Sequence, residues 1–195
     1  WLGVNSPSKS LSDFISRETL NISKLLVPTN IPGLNLISGA KDGVEIANLK
    51  YTQKRRFLSA LRNMDADYIV IDLGAGTSYN TVDFFLLADI QLMVVIPEPT
   101  SIENAYRFIK NSFFRQVFHN SKNFGLKSVV TPILRTHNPY NINTPKTLID
   151  YFNKLGGSNT VFIEEQLQIF IPKIILNQVR TEKDKLVGLA MKDAC

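Results

Sequence analysis

The chain has 195 residues, of which 44% are apolar and 20% charged, and its formal net charge is +5. This composition is that of a globular domain with a sizeable core, and it excludes intrinsic disorder. No apolar run reaches the ~18 to 20 residues of a membrane span and no signal-peptide pattern opens the chain, so we expect an intracellular protein. With one cysteine, Cys195, and two histidines, the chain cannot form an internal disulfide, a structural zinc site or an iron–sulfur cluster.

The first third of the chain predicts two helices around a short strand. Ser10 and Asp13 resemble a capping pair that opens a helix through about Arg17, because an acidic group is favourable near the positive end of the helix dipole. Residues 34–37 predict a strand. Residues 46–64 predict a helix whose buried stripe includes Leu49, Phe57, Leu58 and Leu61.

Three apolar runs predict the strands of a buried sheet: residues 68–71, 92–96 and 173–176. Helices are predicted at 80–88 and 101–118. Continuous apolar strands that alternate with helices are typical of a parallel sheet with both faces covered. The predicted fold class is therefore α/β, a mostly parallel sheet with helices on both faces.

The connection 119–168 is too long for a simple loop, since such connections normally take ~2 to 6 residues. We expect an insertion with structure of its own. Its predicted elements are a strand at 128–134, a loop at 136–143, a helix at 145–155 that opens on Thr144, and a helix at 162–170.

The helices on either side of this insertion are also amphipathic. Helix 101–118 places Ile102, Ile109, Phe113 and Val117 at the spacing of a core-facing stripe. The last predicted helix, 181–195, has Leu186, Leu189 and Ala190 on one face.

The positive charge is concentrated in the second half of the chain. Residues 1–98 hold nine basic and ten acidic side chains, whereas residues 99–195 hold 13 and seven. No acidic residue lies between Glu103 and Asp150, and we call this the basic stretch. Its cations are Arg107, Lys110, Arg115, Lys122, Lys127, Arg135 and Lys146. Three interpretations remain open: a solvated surface, a docking surface for a protein partner, or contact with an anionic polymer or membrane.

Residues 68–78 predict a site for a phosphate ligand and magnesium. An apolar strand there ends in Asp72 and is followed by Gly74 and Gly76. Ligands bind at this carboxyl edge of α/β sheets. The carboxylate would act through water on magnesium, and the glycines would let backbone amides approach a phosphate. The alternative is that Asp72 caps the next helix. Neither G-x-G-x-x-G nor G-x-S-x-G occurs here.

Three segments resemble the MinD/ParA family of deviant P-loop ATPases. Residues 65–76 resemble its Walker B and switch II region, residues 88–105 its next strand and Pro-Glu loop, and residues 174–180 the strand whose terminal asparagine contacts adenine. The order and spacing agree, and the resemblance is closest to the FlhG/FleN branch of flagellar regulators. It implies one partial P-loop domain over residues 1–195, truncated at both ends, with an insertion at about 119–168.

The resemblance assigns roles to individual residues. Asp72 matches the acid that organises water and holds magnesium through it, and Gly76 matches the switch II glycine that faces the terminal phosphate. Gly74 lies in the same loop, at a position where the family commonly has proline. Asn177 matches the base-contacting asparagine, with a turn at the strand end as the alternative, and Arg180 is a further candidate for nucleotide binding.

The resemblance also implies a function. In the parent protein, ATP and Mg²⁺ would hold a homodimer that hydrolysis releases, and a flagellar assembly protein or transcription regulator would read this state to control flagellar number, placement or cell polarity. A cytoplasmic location with peripheral association at the inner face of the membrane is implied, and nucleic acid is the less favoured partner. Glu98 is either a solvated loop acid or a residue near the dimer interface.

Two alternatives stand beside this ATPase switch. One is a ParA-type partitioning ATPase that binds DNA nonspecifically, and the other is a noncatalytic interaction module on a degenerate P-loop fold. No Gly-Lys-Ser/Thr phosphate loop occurs, and the chain opens on Trp1. We therefore expect a piece of a longer protein that neither binds nor hydrolyses ATP appreciably by itself.

Overall fold

The protein is described by a computed structural model that covers residues 2, 4, 9–39, 49–134 and 138–194. The chain divides into two compact units, residues 1–72 and residues 73–195. Both contain helices and a small sheet, which is an α/β composition.

Among its described residues, the first unit combines two α-helices and a 3-10 helix with a two-stranded antiparallel sheet. Its elements are α1 (Leu11–Ile15), a 3-10 helix (Ile22–Leu25), β1 (Val27–Pro28), β2 (Asn35–Leu36) and α2 (Tyr51–Arg62). The capping pair is confirmed, because the Ser10 amide donates to Asp13 Oδ2 at 2.5 Å. The helix ends at Ile15, earlier than predicted, and Arg17 then has a positive φ of 71°.

Apolar side chains of α1 and α2 form the core of this unit. The Phe14 and Phe57 rings pack edge to face with centroids 6.5 Å apart. The predicted stripe is confirmed at Leu49, Phe57 and Leu61, which are buried. Of the predicted helix 46–64, residues 46–48 lie outside the described residues, and Lys50 is extended as the N-cap.

The predicted strand 68–71 is wrong. These residues are assigned to no strand, and they have no partner strand among the described residues. Tyr68 and Val70 are 89% and 92% exposed, and Ile69 and Ile71 are 41% and 37% exposed. The physical reason is that a strand forms by hydrogen-bonding its backbone to a neighbouring strand. Without a neighbour, an apolar run gains neither these hydrogen bonds nor burial of its side chains.

The second unit alternates helices with a parallel strand pair. Its elements are α3 (Tyr79–Leu87), β3 (Leu92–Val95), α4 (Pro99–Ser121), α5 (Lys127–Ile133), α6 (Pro145–Leu155), α7 (Ser158–Ile169), β4 (Lys173–Leu176) and α8 (Glu182–Ala194). β3 and β4 pair in parallel, in a register that places Leu92 opposite Lys173 and Val95 opposite Leu176. Both strands agree with the prediction, but the parallel sheet has two strands among the described residues.

The parallel pair is covered on one face. Met93, Val95 and Ile174 belong to a cluster with residues of α4 and α8, whereas Leu92 and Val94 are 53% and 62% exposed. The prediction of helices on both faces is therefore wrong for the described residues. Each strand alternates between a packed and an open side, as expected for a sheet covered from one side.

Side chains of helix α4 belong to two separate hydrophobic clusters. Its first half contributes Ala105 to the cluster beneath the sheet, and its second half contributes Phe113 and Val117 to the core of the insertion. The predicted stripe is confirmed, since Ile109, Phe113 and Val117 are buried and Ile102 is partly buried.

The segment predicted as an insertion, residues 119–168, forms a small helical assembly whose core includes residues of α4. Residues of α5, α6 and α7 pack around the end of α4, and the fully or nearly fully buried members are Phe113, Val117, Val130, Ile133, Ile142, Leu148, Phe152, Phe162 and Ile163. Helix α6 begins at the predicted residue, with the Thr147 amide donating to Thr144 Oγ1 at 3.2 Å. Helix α7 starts at Ser158, four residues before the predicted start.

The predicted strand 128–134 is wrong, because these residues form most of helix α5. The β-branched residues favour a strand, but Val130 and Ile133 lie at helical spacing and are both buried in the insertion core. Thr131 Oγ1 donates to the Lys127 carbonyl at 2.6 Å. Of the predicted loop 136–143, residues 138–143 have no regular structure, and residues 136–137 lie outside the described residues.

Helix α8 packs through a different face from the one predicted. Met191 is buried and Val187 packs beside it, whereas Leu186 and Leu189 are 62% and 60% exposed. A Cβ at Gly188 would lie 3.2 Å from Leu176 Cδ2, so the helix approaches β4 closely there. None of the described helices is long and apolar enough to span a membrane.

Candidate functional site

Asp72 is the acid on which the predicted nucleotide site depends. Its side chain is exposed and it follows the exposed apolar run 68–71. The boundary between the two units falls directly after it. Asp72 and the other predicted site residues therefore lie in separate units, and their mutual geometry stays a prediction.

The glycine loop that follows leads into helix α3. Gly76 has a φ of +112°, a conformation that side chains other than glycine rarely adopt, so this position requires glycine. Apart from the chain neighbours, no described atom lies within 4 Å of a Cβ built at Gly74 or Gly76. The Cβ side of the backbone is thus open at both glycines, which fits the expected approach of a phosphate to the loop.

The N-cap of helix α3 tests the alternative in which Asp72 caps this helix. Ser78 is the N-cap, and its Oγ accepts from the Thr81 amide at 3.2 Å. Asp72 lies well before this turn. The alternative interpretation of Asp72 as a helix cap is therefore wrong, and its exposed carboxylate has no such structural role.

Asn177 continues the ladder between β3 and β4. Its amide donates to the Val95 carbonyl at 2.8 Å, and its side-chain Oδ1 accepts from the Gln178 amide at 2.9 Å. Gln178 has a positive φ of 56°. The side chain of Asn177 thus stabilises a sharp turn at the strand end, as the alternative predicted, and contact with a base stays a prediction.

Arg180 is exposed in the connection between β4 and α8. The hydrogen bonds that hold this connection were not predicted from the sequence. The backbone amides of Arg180 and Thr181 both donate to Asp184 Oδ2 at 2.8 Å. These hydrogen bonds hold the pKa of Asp184 below its usual value. The spacing Thr181-x-x-Asp184 at a helix start is a capping signal, so the organising role of Asp184 could have been found from the sequence.

The chemistry of these groups suits a magnesium nucleotide better than a directly bound metal. Among the described residues, no group of three or more His, Cys, Asp and Glu side chains is arranged to hold a metal ion. A single exposed carboxylate, Asp72, is what a magnesium ion needs when it keeps several waters and takes other ligands from phosphates. The residues present therefore fit the implied cofactor.

The Pro-Glu loop lies between β3 and α4. Glu98 is exposed at the N-cap position of α4, where its amide donates to the Ile96 carbonyl at 2.7 Å. Ser101 Oγ accepts from the Ile96 amide at 3.2 Å. The loop is thus held by local hydrogen bonds while the carboxylate of Glu98 faces solvent.

The basic stretch is not one continuous cationic surface. Arg115 is paired with the buried Asp83, and Arg107 forms an exposed pair with Glu103 on the same helix. Lys122, Lys127 and Lys146 are exposed on the insertion, and Arg135 lies outside the described residues. The solvated interpretation is therefore wrong for Arg115, which has a structural partner.

Comparison with known proteins supports one family. No protein-family model matches the chain. Antiactivator FleN from Pseudomonas aeruginosa is 31% identical over 106 residues, which are 54% of this chain and 38% of that protein. Flagellum site-determining protein YlxH from Helicobacter pylori is 38% identical over 84 residues, which are 40% of this chain and 28% of that protein. The two similarities support the FlhG/FleN branch of the MinD/ParA family.

The matched regions cover well under half of either relative. The comparisons therefore support the FlhG/FleN branch and no finer assignment. Activity, cofactor and partner of the whole protein are proposals.

Proposed function

We propose that the parent protein is a MinD/ParA-like ATPase switch that controls flagellar number or placement. The observation that carries this proposal is the similarity to two proteins named for flagellar site determination and antiactivation. ATP and Mg²⁺ would favour a homodimer and hydrolysis would release it. The partner would be a flagellar assembly protein or a transcription regulator, met in the cytoplasm or at the inner face of the membrane.

The roles proposed for individual residues follow their chemistry. Asp72 would hold magnesium through water and orient the attacking water, which is the main protein contribution to phosphoryl transfer. Gly76 would present its amide to the terminal phosphate, and Gly74 would leave that approach open. Asn177 and Arg180 would contact the nucleotide base from the connection after β4.

The decisive experiment replaces Asp72 in the longest natural protein that contains this sequence. Asp72→Asn should slow ATP turnover on the order of a hundredfold, because the neutral amide orients water and magnesium poorly. Asp67→Asn is the matched control, since Asp67 is an exposed acid of the same segment with no proposed role. An unchanged rate for Asp72→Asn would remove the catalytic role.

A noncatalytic interaction module on a degenerate P-loop fold is the second candidate, and it differs from the ATPase in lacking a Gly-Lys-Ser/Thr phosphate loop. The coding sequence upstream of Trp1 separates the two. A glycine-rich phosphate loop with lysine there supports the ATPase, and its absence supports the module. A gel-shift titration against salt tests the partitioning alternative, since DNA binding through Lys122, Lys127 and Lys146 would weaken steeply with salt.

A further inference from the structure

The start of helix α3 is held to helix α4 by an exposed contact. Tyr79 is the first residue of α3 and is 74% exposed, so burial in a core does not fix its ring. The ring centroid instead lies 4.9 Å from Cζ of Arg115, which is within the range of a cation–π interaction. Both residues belong to the second unit. We call this pair the Tyr79–Arg115 contact.

Arg115 is held in place by a second residue of α3. Its guanidinium pairs with Asp83 through Nε and Nη2, and the side chain of Asp83 is 9% exposed. Tyr79 and Asp83 are four residues apart and are therefore neighbours on one face of α3. A planar guanidinium can make both contacts in one orientation, whereas a lysine ammonium offers no plane to the ring.

The rest of α3 is anchored in a different way. Val82 and Phe85 are buried, and the Phe85 ring packs edge to face on Phe108 of α4 with centroids 4.9 Å apart. Apolar packing therefore holds the body of α3, whereas the Tyr79–Arg115 contact holds its first residue. Loss of the ring should change the start of the helix without unfolding its body.

The glycine loop ends directly before this contact. Gly76 has a φ of +112°, and the carbonyl of the N-cap residue Ser78 accepts from the Val82 amide at 3.0 Å. Because three residues of extended chain span at most about 10 Å, Gly76 cannot lie further than that from Tyr79. A fixed Tyr79 therefore limits the positions that Gly76 can reach.

From these observations we infer that Tyr79 and Arg115 are positioning residues for the glycine loop, since their contact restricts the motion of Gly76 through the start of α3. The consequence for phosphate binding rests on the proposed function, in which Gly76 presents its amide to the terminal phosphate. A loop that is restricted before the phosphate arrives loses less conformational entropy on binding. The contact thereby lowers the ATP concentration that the site needs.

Nuclear magnetic resonance relaxation of the chain tests the restriction without nucleotide. Tyr79→Leu should lower the order parameters of the Gly76 and Thr77 amides from about 0.85 to about 0.6 or below, because an aliphatic side chain does not attract the guanidinium. Tyr79→Phe keeps an aromatic face and should retain the original values. Tyr140→Leu is the matched control, since Tyr140 is an exposed tyrosine of the same unit whose ring packs on Tyr151.

A double-mutant cycle tests whether Arg115 acts through the ring. Arg115→Lys keeps a positive charge beside Asp83 and removes the planar group, so it should lower the same order parameters by a similar amount. Tyr79→Leu combined with Arg115→Lys should then lower them no further than either change alone. Circular dichroism should show native helix content in each variant, because the body of α3 keeps its apolar packing. Additive effects would overturn the inference, as would an equal loss in Tyr140→Leu.

Turnover by the longest natural protein that contains this sequence tests the consequence for phosphate binding. Tyr79→Leu should raise the KM for ATP about threefold or more with little change in kcat, whereas Tyr79→Phe should leave both unchanged. Lower order parameters with an unchanged KM would keep the positioning of the loop and overturn the role of Gly76 in phosphate binding. Unchanged order parameters in Tyr79→Leu would overturn the positioning itself, whether or not the protein hydrolyses ATP.

Discussion

Arg115 of α4 and Asp83 of α3 form a bidentate ion pair, with Nε to Oδ1 at 2.9 Å and Nη2 to Oδ2 at 3.2 Å. The Tyr79 ring lies against the same guanidinium, with its centroid 4.9 Å from Cζ. His119 Nε2 lies 3.9 Å from Asp83 Oδ1. The helix that follows the glycine loop is thereby held to α4 by charge as well as by apolar packing.

Loss of Arg115 should destabilise the second unit. Arg115→Met leaves the largely buried Asp83 carboxylate without its main partner, and we expect the free energy of unfolding to fall by about 2 kcal/mol. Arg107→Met on the same helix breaks only an exposed pair with Glu103 and should cost about 0.5 kcal/mol or less. Urea unfolding followed by circular dichroism compares the two, and equal losses would contradict the structural role of Asp83.

The insertion core should be sensitive to truncation of Phe162. Its side chain is fully buried and its ring packs against Phe152 with centroids 5.6 Å apart. Phe162→Ala should lower the free energy of unfolding by about 3 to 5 kcal/mol, through lost burial and the cavity left behind. Phe124, 44% exposed and in contact with the same ring, provides the control. Phe124→Ala should cost about 1 kcal/mol, and a reversed order in thermal melts would disprove this packing.

Stability near pH 3 should depend on Asp184. The amides of Arg180 and Thr181 lower the pKa of its carboxyl below the ordinary value of 3.8. A lowered folded pKa means that the ionised group stabilises the fold above pH 3.8, and that this contribution is lost as the pH falls through the folded pKa. Asp184→Asn should therefore flatten the acid limb of a plot of melting temperature against pH.

Glu182→Gln is the control for this pH dependence. Glu182 lies exposed in the same helical turn and pairs only with Lys185 among the described residues. Its replacement should leave the acid limb in place. An acid limb that survives Asp184→Asn unchanged would mean that the two hydrogen bonds contribute nothing to folding.

The chain by itself should not bind ATP tightly. It contains no Gly-Lys-Ser/Thr sequence, so the lysine and amides that hold phosphates in the resembled family are lacking. Isothermal calorimetry with ATP and magnesium should give no measurable heat at micromolar protein concentration. Tight magnesium-dependent binding would refute this expectation and would require a phosphate site built from other residues.

Sequence patterns predicted those elements whose signals are local. The Thr144 cap followed by Pro145 set the start of α6, and the Ser10 and Asp13 pair set the start of α1, because each cap involves residues within one turn. The stripe from Ile109 to Val117 was also predictable, since helical spacing alone defines it.

Elements that depend on distant partners were predicted less well. Residues 68–71 have the composition of a strand, but their state depends on a neighbour, which sequence composition does not report. Residues 127–133 are rich in β-branched side chains, yet burial of Val130 and Ile133 decided for a helix. Likewise Leu186 and Val187 are both apolar, and only packing against the cluster that contains Val95 and Ala105 selects the face of α8.

The residues of the candidate site also differ in whether a local sequence signal predicts their position. Asn177 and Gly76 were placed correctly at a strand end and in a glycine loop, because small residues and asparagine mark such turns. The capping role of Asp184 was missed, although the spacing Thr181-x-x-Asp184 at the start of the predicted helix 181–195 is a local capping signal.

The length of α4 has a mechanical consequence. Its 23 residues make a rod of about 35 Å that starts at the Pro-Glu loop and ends inside the insertion. Its first half packs in the cluster with the parallel strands and its second half in the core of the insertion. One continuous helix thus joins the Pro-Glu loop to the insertion, and a rigid tilt of its first turn would displace side chains in both clusters.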